Sequence, residues 1–256
     1  MFGFLRARRR KKILAEPFPA AWQAILHRHV ALYATLDSGE RSALRDAVQV
    51  FVAEKNWEHT ADFEHSQPMQ VVVAANACIL TLGLHGDPLR HARTIILQPD
   101  TYVPPQPMIR NGIAQSGMNV TGTAYLNGPV ILSWREIIAN SRLRDGRNVV
   151  LHEFAHQLDM AGGVVDGTPP LPHRKDYAEW RRVMTAEYEQ LQFAAEHGVR
   201  TVVDHYGATN PAEFFAVATE LFFEKSRQMM GKHPELYGLL VEYYRQDPAS
   251  RPRTTG

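Results

Sequence analysis

The sequence holds a single cysteine, Cys78, so no disulfide can close within the chain. A reducing, cytoplasmic location is the expectation that follows. No stretch approaches the ~18 consecutive apolar residues of a membrane-spanning helix. Internal repeats and low-complexity tracts are also missing. The formal net charge is only +1, which gives no ground for expecting direct nucleic-acid binding. A disulfide-stapled secreted scaffold, a helical membrane protein and a strongly basic nucleic-acid binder are thereby set aside.

The small net charge is unevenly laid out. Arg6, Arg8, Arg9, Arg10, Lys11 and Lys12 follow one another with no acid among them. Setting these six aside leaves 22 Lys and Arg against 27 Asp and Glu, a body at −5. A secretory signal would continue such charges with roughly 7–15 apolar residues. Here Ile13-Leu14-Ala15-Glu16-Pro17 ends the run at once. Residues 1–15 therefore read as a basic, flexible, solvated arm, with a weak contact to anionic lipid or nucleic acid as the sharper alternative.

With 256 residues, 45% of them hydrophobic, the chain can bury a sizeable core. Residues 18–56 carry helical spacing, first through Leu26, Val30, Tyr33 and Leu36, then through Leu44, Val48, Phe51 and Val52. Asp37-Ser38-Gly39 breaks the two helices, and Asp37 or Ser38 suits the second one's N-cap. Val71 to Ala74 form a short apolar run ahead of a helix through Ala77 to Leu80. Thr94 to Leu97 read as a strand. Tyr102 to Pro107 must be loop or extended chain, because it carries three prolines. Val120 to Leu126 and Pro129 to Trp134 pair as a hairpin about Asn127-Gly128. Pro129 argues that the second strand begins at an edge or a bulge. Helices return from Asn148: one over 176–196, one over 210–224 and a last one through Leu236 to Tyr243. A Gly- and Pro-rich loop spans 162–172, and 248–256 read as a frayed, flexible tail.

The chemistry concentrates in Val149-Val150-Leu151-His152-Glu153-Phe154-Ala155-His156-Gln157-Leu158-Asp159. On a helix, Val150, Leu151, Phe154, Ala155 and Leu158 make one face, and His152, Glu153, His156 and Asp159 the other. Residues four apart stack one above the other. Both imidazoles can therefore converge on one tetrahedral ion, with Glu153 angled toward a water on that ion. Such a water ionises near neutral pH, and Glu153 can take its proton. Asp159 is either an orienting partner for an imidazole or a solvated acid.

Two histidines need a third ligand. A metzincin would place Gly at 159 and His at 162, and this chain has Asp159 and Gly162. A carboxylate further on is the expectation. Glu179 lies at a thermolysin-like distance but without the usual surroundings. Glu213, in Tyr206-Gly207-Ala208-Thr209-Asn210-Pro211-Ala212-Glu213-Phe214-Phe215-Ala216, is the better candidate. Capping alone would also explain it, since Asn210 suits the N-cap, Pro211 the first helical position and Glu213 the capping-box acid. Glu220, two turns on, is the other option.

The two segments quoted above resemble the Mlc titration factor A family of bacterial zinc peptidases, related in their catalytic domain to anthrax lethal factor. The similarity extends to the basic start, Phe51-Val52-Ala53-Glu54-Lys55 and Asn127-Gly128-Pro129-Val130 with Ser133-Trp134. The resemblance implies one zinc per chain on His152, His156 and Glu213, with Glu153 as general base. It also implies Tyr206 as a hydrogen-bond donor to the developing oxyanion. Aminopeptidase-like cleavage of short peptides is the activity it implies, and a transcriptional repressor of the Mlc type the protein partner. A structural zinc site, closed by four ligands and rich in Cys, does not suit one cysteine far from the motif. The expected architecture is α+β: a mainly helical, zincin-like domain over 16–247 with a small mixed sheet and a gluzincin-type ligand set. Residues 118–126 or 129–134 are expected to offer an edge to an extended peptide, and the 162–172 loop to be able to cover the metal.

Overall fold

The basic segment at the start of the chain folds against the rest of the protein. In the computed structural model, which describes residues 2–60, 63–102, 108–110, 113–115, 121–126, 128–141 and 144–252, helix α1 spans Phe2–Ala15. Arg6 and Arg10 meet the Glu54 carboxylate at 3.0 and 2.7 Å, and both also pair with Asp87. The expected flexible arm is thus replaced by a docked helix. Its counter-charges come from distant parts of the chain, which no local pattern reveals.

The first of the two expected helices ends early: α2 spans Ala20–His29 and a 3-10 turn takes Ala31–Thr35, while Ser38 and Gly39 open α3 (Ser38–Glu54) rather than separating the helices. Asp37 is the N-cap: its side chain accepts from Glu40 N at 2.8 Å, and the Glu40 carboxylate in turn accepts from Asp37 N at 3.0 Å. Helix α4 (Gln67–Thr81) is buried at every position from Val71 to Leu80. The Val71–Ala74 run is therefore part of that helix and not a separate element. A helix covered on all sides has no polar stripe, so its period cannot be read.

A four-stranded mixed sheet follows, in the order β1 (Asn56–His59), β2 (Thr94–Gln98), β6 (Val130–Ser133), β5 (Gly122–Ala124). The first three are parallel, with Ile95 opposite Val130 and Leu97 opposite Leu132. β5 runs antiparallel to β6 and forms one edge, with β1 at the other. A separate antiparallel pair joins β3 (Met108–Arg110) to β4 (Ile113–Gln115). The expected hairpin is present, closed by Gly128 N on Tyr125 O at 3.0 Å and Tyr125 N on Pro129 O at 3.3 Å. Asn127, residues 103–107 and residues 116–120 lie outside the described residues. Pro129 does not mark an edge, because β6 is an inner strand. It precedes the first ladder residue, where no amide is needed.

Beyond the sheet come α5 (Trp134–Ser141), α6 (Val149–Met160), α7 (Asp176–Glu196), a 3-10 turn (His205–Thr209), α8 (Pro211–Glu224), α9 (Ser226–Lys232) and α10 (Pro234–Tyr244). The fold class is α+β and mainly helical. α6 packs against α4, α8 and β5. Its apolar face (Val150, Leu151, Phe154, Ala155, Leu158) is buried, with the Phe154 ring edge-on to Phe51 at 5.7 Å. α8 is held by an aromatic cluster in which Phe222 and Phe223 pack on Tyr244. The expected frayed tail is anchored as far as it is described. Ala249 and Arg251 are buried, and Arg227 Nη2 donates to Arg251 O at 2.6 Å. Among the described residues, no helix is long and apolar enough to cross a membrane.

Candidate metal centre

Asn148 caps α6, accepting from Leu151 N at 3.2 Å. One turn along, His152 and His156 bring their ring centroids to 4.9 Å. Facing them is the first turn of α8. Asn210 caps that helix by accepting from Glu213 N at 2.9 Å. Only this half of the capping box forms. The Glu213 carboxylate turns instead to His152 Nε2 at 3.0 Å and His156 Nε2 at 3.4 Å. The donor atoms of these three residues all lie within 4.8 Å of one another. Ligands about 2.1 Å from a tetrahedral ion are themselves roughly 3.4 Å apart, so the spacing suits one ion.

The other carboxylates separate cleanly. Glu220 does not join the cluster as a third donor. Its Oε1 takes the far nitrogen of His152, Nδ1, at 2.7 Å, and its Oε2 accepts from Asn148 N at 2.5 Å. Asn148 Nδ2 in turn donates to Asn76 Oδ1 at 2.9 Å and Glu224 Oε1 at 3.0 Å. Glu220 thus orients His152 and ties α8 to the cap of α6. Glu179 is exposed on α7 and pairs with Arg182 at 2.7 Å, outside the site. Asp159 has neither of its expected roles. It is fully buried, and Oδ2 accepts from Gly167 N at 2.9 Å, anchoring the 162–172 loop. Burial pushes its carboxyl up to about 6, against the opposing Gly167 amide and His156.

Glu153 is buried beside the edge strand. A Cβ built on Gly122 of β5 would lie 2.6 Å from Glu153 Oε1, so any larger residue there would have to displace the Glu153 side chain. Burial raises the Glu153 carboxyl to about 7, although both imidazoles oppose the rise. Tyr206 sits on the 3-10 turn with its ring centroid 5.9 Å from that of His152. Asp204 fixes the turn by accepting from Tyr206 N at 3.0 Å and pairing with Arg147 at 2.5 Å. His152, Glu153, His156, Tyr206 and Glu213 share one cleft of about 730 Å³ with residues 121–124 of the β5 region.

The electrostatics fit a cation. Burial opposes a charge on His152, but Glu213 and Glu220, one on each ring nitrogen, outweigh it and draw its pKa well up. Burial would raise the Glu213 carboxyl, yet His152 and His156 hold it far below the usual carboxylate range. The site therefore favours positive charge between its carboxylates, and a metal ion can supply what the imidazolium proton supplies.

Residues 4–245 match the family described as glucose-regulated metallo-peptidase M90. The chain belongs to this family. An uncharacterized protein of Synechocystis sp. is 38% identical over 244 residues, covering 94% of this chain and 89% of the relative. Mlc titration factor A of Serratia proteamaculans is 31% identical over 239 residues, covering 91% and 89%. Mlc titration factor A of Yersinia pestis is 30% identical over 237 residues, covering 91% and 86%. In this M90 family chain, three features escaped the sequence. Glycine in a strand hints at close backbone approach, which was the available signal for Gly122. The Asn76–Asn148–Glu224 network and the Arg147–Asp204 pair span separations that leave no local signal.

Proposed function

We propose that this chain is a zinc-dependent peptidase, aminopeptidase-like on short peptides, with one zinc held by His152, His156 and Glu213. The observation that carries the reading is the convergence of those three donors beside a buried carboxylate that is not needed as a ligand. A zinc ion held by these residues would supply Lewis acidity, lowering the pKa of a bound water and polarising the scissile carbonyl. Glu153 accepts the proton of the attacking water and returns it to the leaving amine. Tyr206 donates its hydroxyl hydrogen bond to the oxyanion as the carbonyl carbon becomes tetrahedral. Glu220 holds His152 in register from behind. β5 is the strand that meets the substrate backbone, because its outer edge has no ladder partner among the described residues while β6 is paired on both sides.

The test is hydrolysis of short peptides and aminoacyl chromogenic substrates, with metal content measured on the same samples. Wild type is expected to hold one zinc and cleave. Glu153→Gln should keep the zinc and lose turnover, and Glu213→Ala should lose the zinc. A zinc-loaded wild type that cuts nothing in the panel would remove the peptidase reading.

A second reading is favoured by the relatives named Mlc titration factor A. The chain binds and titrates a transcriptional repressor of that type, with peptidase activity secondary or latent. Gel filtration of the purified chain with its host's repressor tests it, and separate elution at micromolar concentrations counts against it.

A further inference from the structure

Away from the metal, an open cavity of about 690 Å³ lies between α1, the start of β1 and the segment that leads into β2. Arg6, Arg9, Glu54, Lys55, Arg90 and Arg93 line it. Its one lining carboxylate, Glu54, is already engaged by Arg6 and Arg10. Burial alone would raise Glu54, but those two guanidiniums take its carboxyl down to about 2. Among the described residues, the other four lining cations, Arg9, Lys55, Arg90 and Arg93, form no ion pair. Arg9 donates to Ala53 O at 3.0 Å, and Arg90 Nε to His91 Nε2 at 2.9 Å. Arg93 makes no side-chain hydrogen bond or ion pair among the described residues, while its backbone is fixed by Asn56 N on Arg93 O at 2.9 Å.

Lys55 is the telling member. Its Nζ donates to Leu89 O at 2.7 Å and lies 5.0 Å from the Phe51 ring centroid. No carboxylate pairs with it among the described residues, and two of its three N–H bonds have no partner there. Burial brings its pKa down to about 8, with Asp87 opposing the fall. A mostly buried ammonium without an anion is costly to keep, and an anion in the cavity would relieve that cost. Guanidinium forks match the paired oxygens of a phosphoryl group, and four cations match a multivalent anion better than a single carboxylate.

We propose that this cavity binds a phosphoryl or diphosphoryl group, with Arg9, Lys55, Arg90 and Arg93 as its donors. The source is a soluble phosphorylated molecule or a lipid headgroup. Leu5, which lines the cavity, and its neighbour Phe4 are both exposed on α1 and would touch the bilayer in the second case.

Calorimetric titration of the full chain with inorganic pyrophosphate tests the site, with acetate as the monovalent control. Pyrophosphate is expected to bind and acetate not. The double variant Arg90→Ser/Arg93→Ser should weaken binding at least tenfold, and Lys55→Met should weaken it as well. Both leave peptidase activity unchanged, since neither touches the metal cleft. Sedimentation with phosphatidic acid vesicles, against phosphatidylcholine vesicles, forms the lipid arm. Arginine-dependent capture by the acidic vesicles without uptake of pyrophosphate supports the site with a lipid source. Undiminished pyrophosphate binding in the double variant would mean that the anion sits on the metal, and the proposal falls. It falls equally if neither probe binds.

Discussion

Gly122 and Glu153 meet at a distance that leaves no space for a methyl group. Gly122→Ala would set a Cβ 2.6 Å from Glu153 Oε1, and the carboxylate is the part able to move. The expected result is a kcat at least tenfold lower with zinc content and Tm almost unchanged, since a small displacement of a base is costly to turnover. Steady-state kinetics beside metal analysis checks it, and an unchanged kcat would separate Glu153 from the chemistry. Glu220 offers a second residue-scale test. Glu220→Gln weakens the 2.7 Å contact on His152 Nδ1 while keeping the side chain's shape. Zinc affinity should drop by roughly 10–100-fold, the usual effect of losing such an orienting partner. Competition with a chromogenic chelator measures this.

Elements bring these residues together through their first turns. The cap at Asn148 starts α6 four residues before His152, and the cap at Asn210 starts α8 three residues before Glu213. The Asn210 cap and the period of α6 are visible in the sequence, and so is Glu213 as a candidate, whereas the Asn148 cap shows only in the structure. Whether its carboxylate caps the helix or faces the histidines depends on how α6 and α8 pack, and here it faces the histidines. The 162–172 loop is tied to both helices. Asp159 of α6 holds Gly167 N, and Gly167, at φ +78°, would put a Cβ 2.3 Å from Pro211 O at the start of α8. Gly167→Ala should therefore destabilise the fold by more than ~1 kcal/mol, because the backbone is left-handed there and the space is taken. Urea unfolding with the m-value held constant is the measurement, and a loss under a few tenths would show that the loop gives way freely.

At the scale of the whole molecule, buried carboxylates set how stability responds to pH. Burial raises the Glu224 carboxyl to about 7, against its bond from Asn148 and the charge of Arg144. In the unfolded chain it titrates near ~4.3. Between these values the folded state keeps a proton that the unfolded state has lost. The Glu224 contribution therefore favours folding below the lower value and is lost as pH rises toward 7, at up to ~1.4 kcal/mol per pH unit. Glu224→Gln removes this dependence. The stability of the variant relative to wild type should increase from pH 5 to pH 8 in denaturant titrations, and a constant difference across that range would refute the buried-charge account.

The metal helix with its two histidines and adjacent glutamate, the short list of third ligands, the hairpin and the bounds of α3, α7, α8 and α10 are legible in the sequence alone. Each is written in spacing, capping or turn chemistry within about one element's length. The resemblance at the two site segments supplied the family. The remaining features arise from contacts between distant segments. Tertiary structure placed Glu220 behind His152 and Glu213 in front, made Asp159 a loop anchor, set β5 at an edge and β6 inside, and docked α1 on Glu54 and Asp87. It also hid α4, whose covering on every side erases the period by which a helix is read. These outcomes depend on charges and packing faces that meet only when distant segments fold together, and no local pattern carries them.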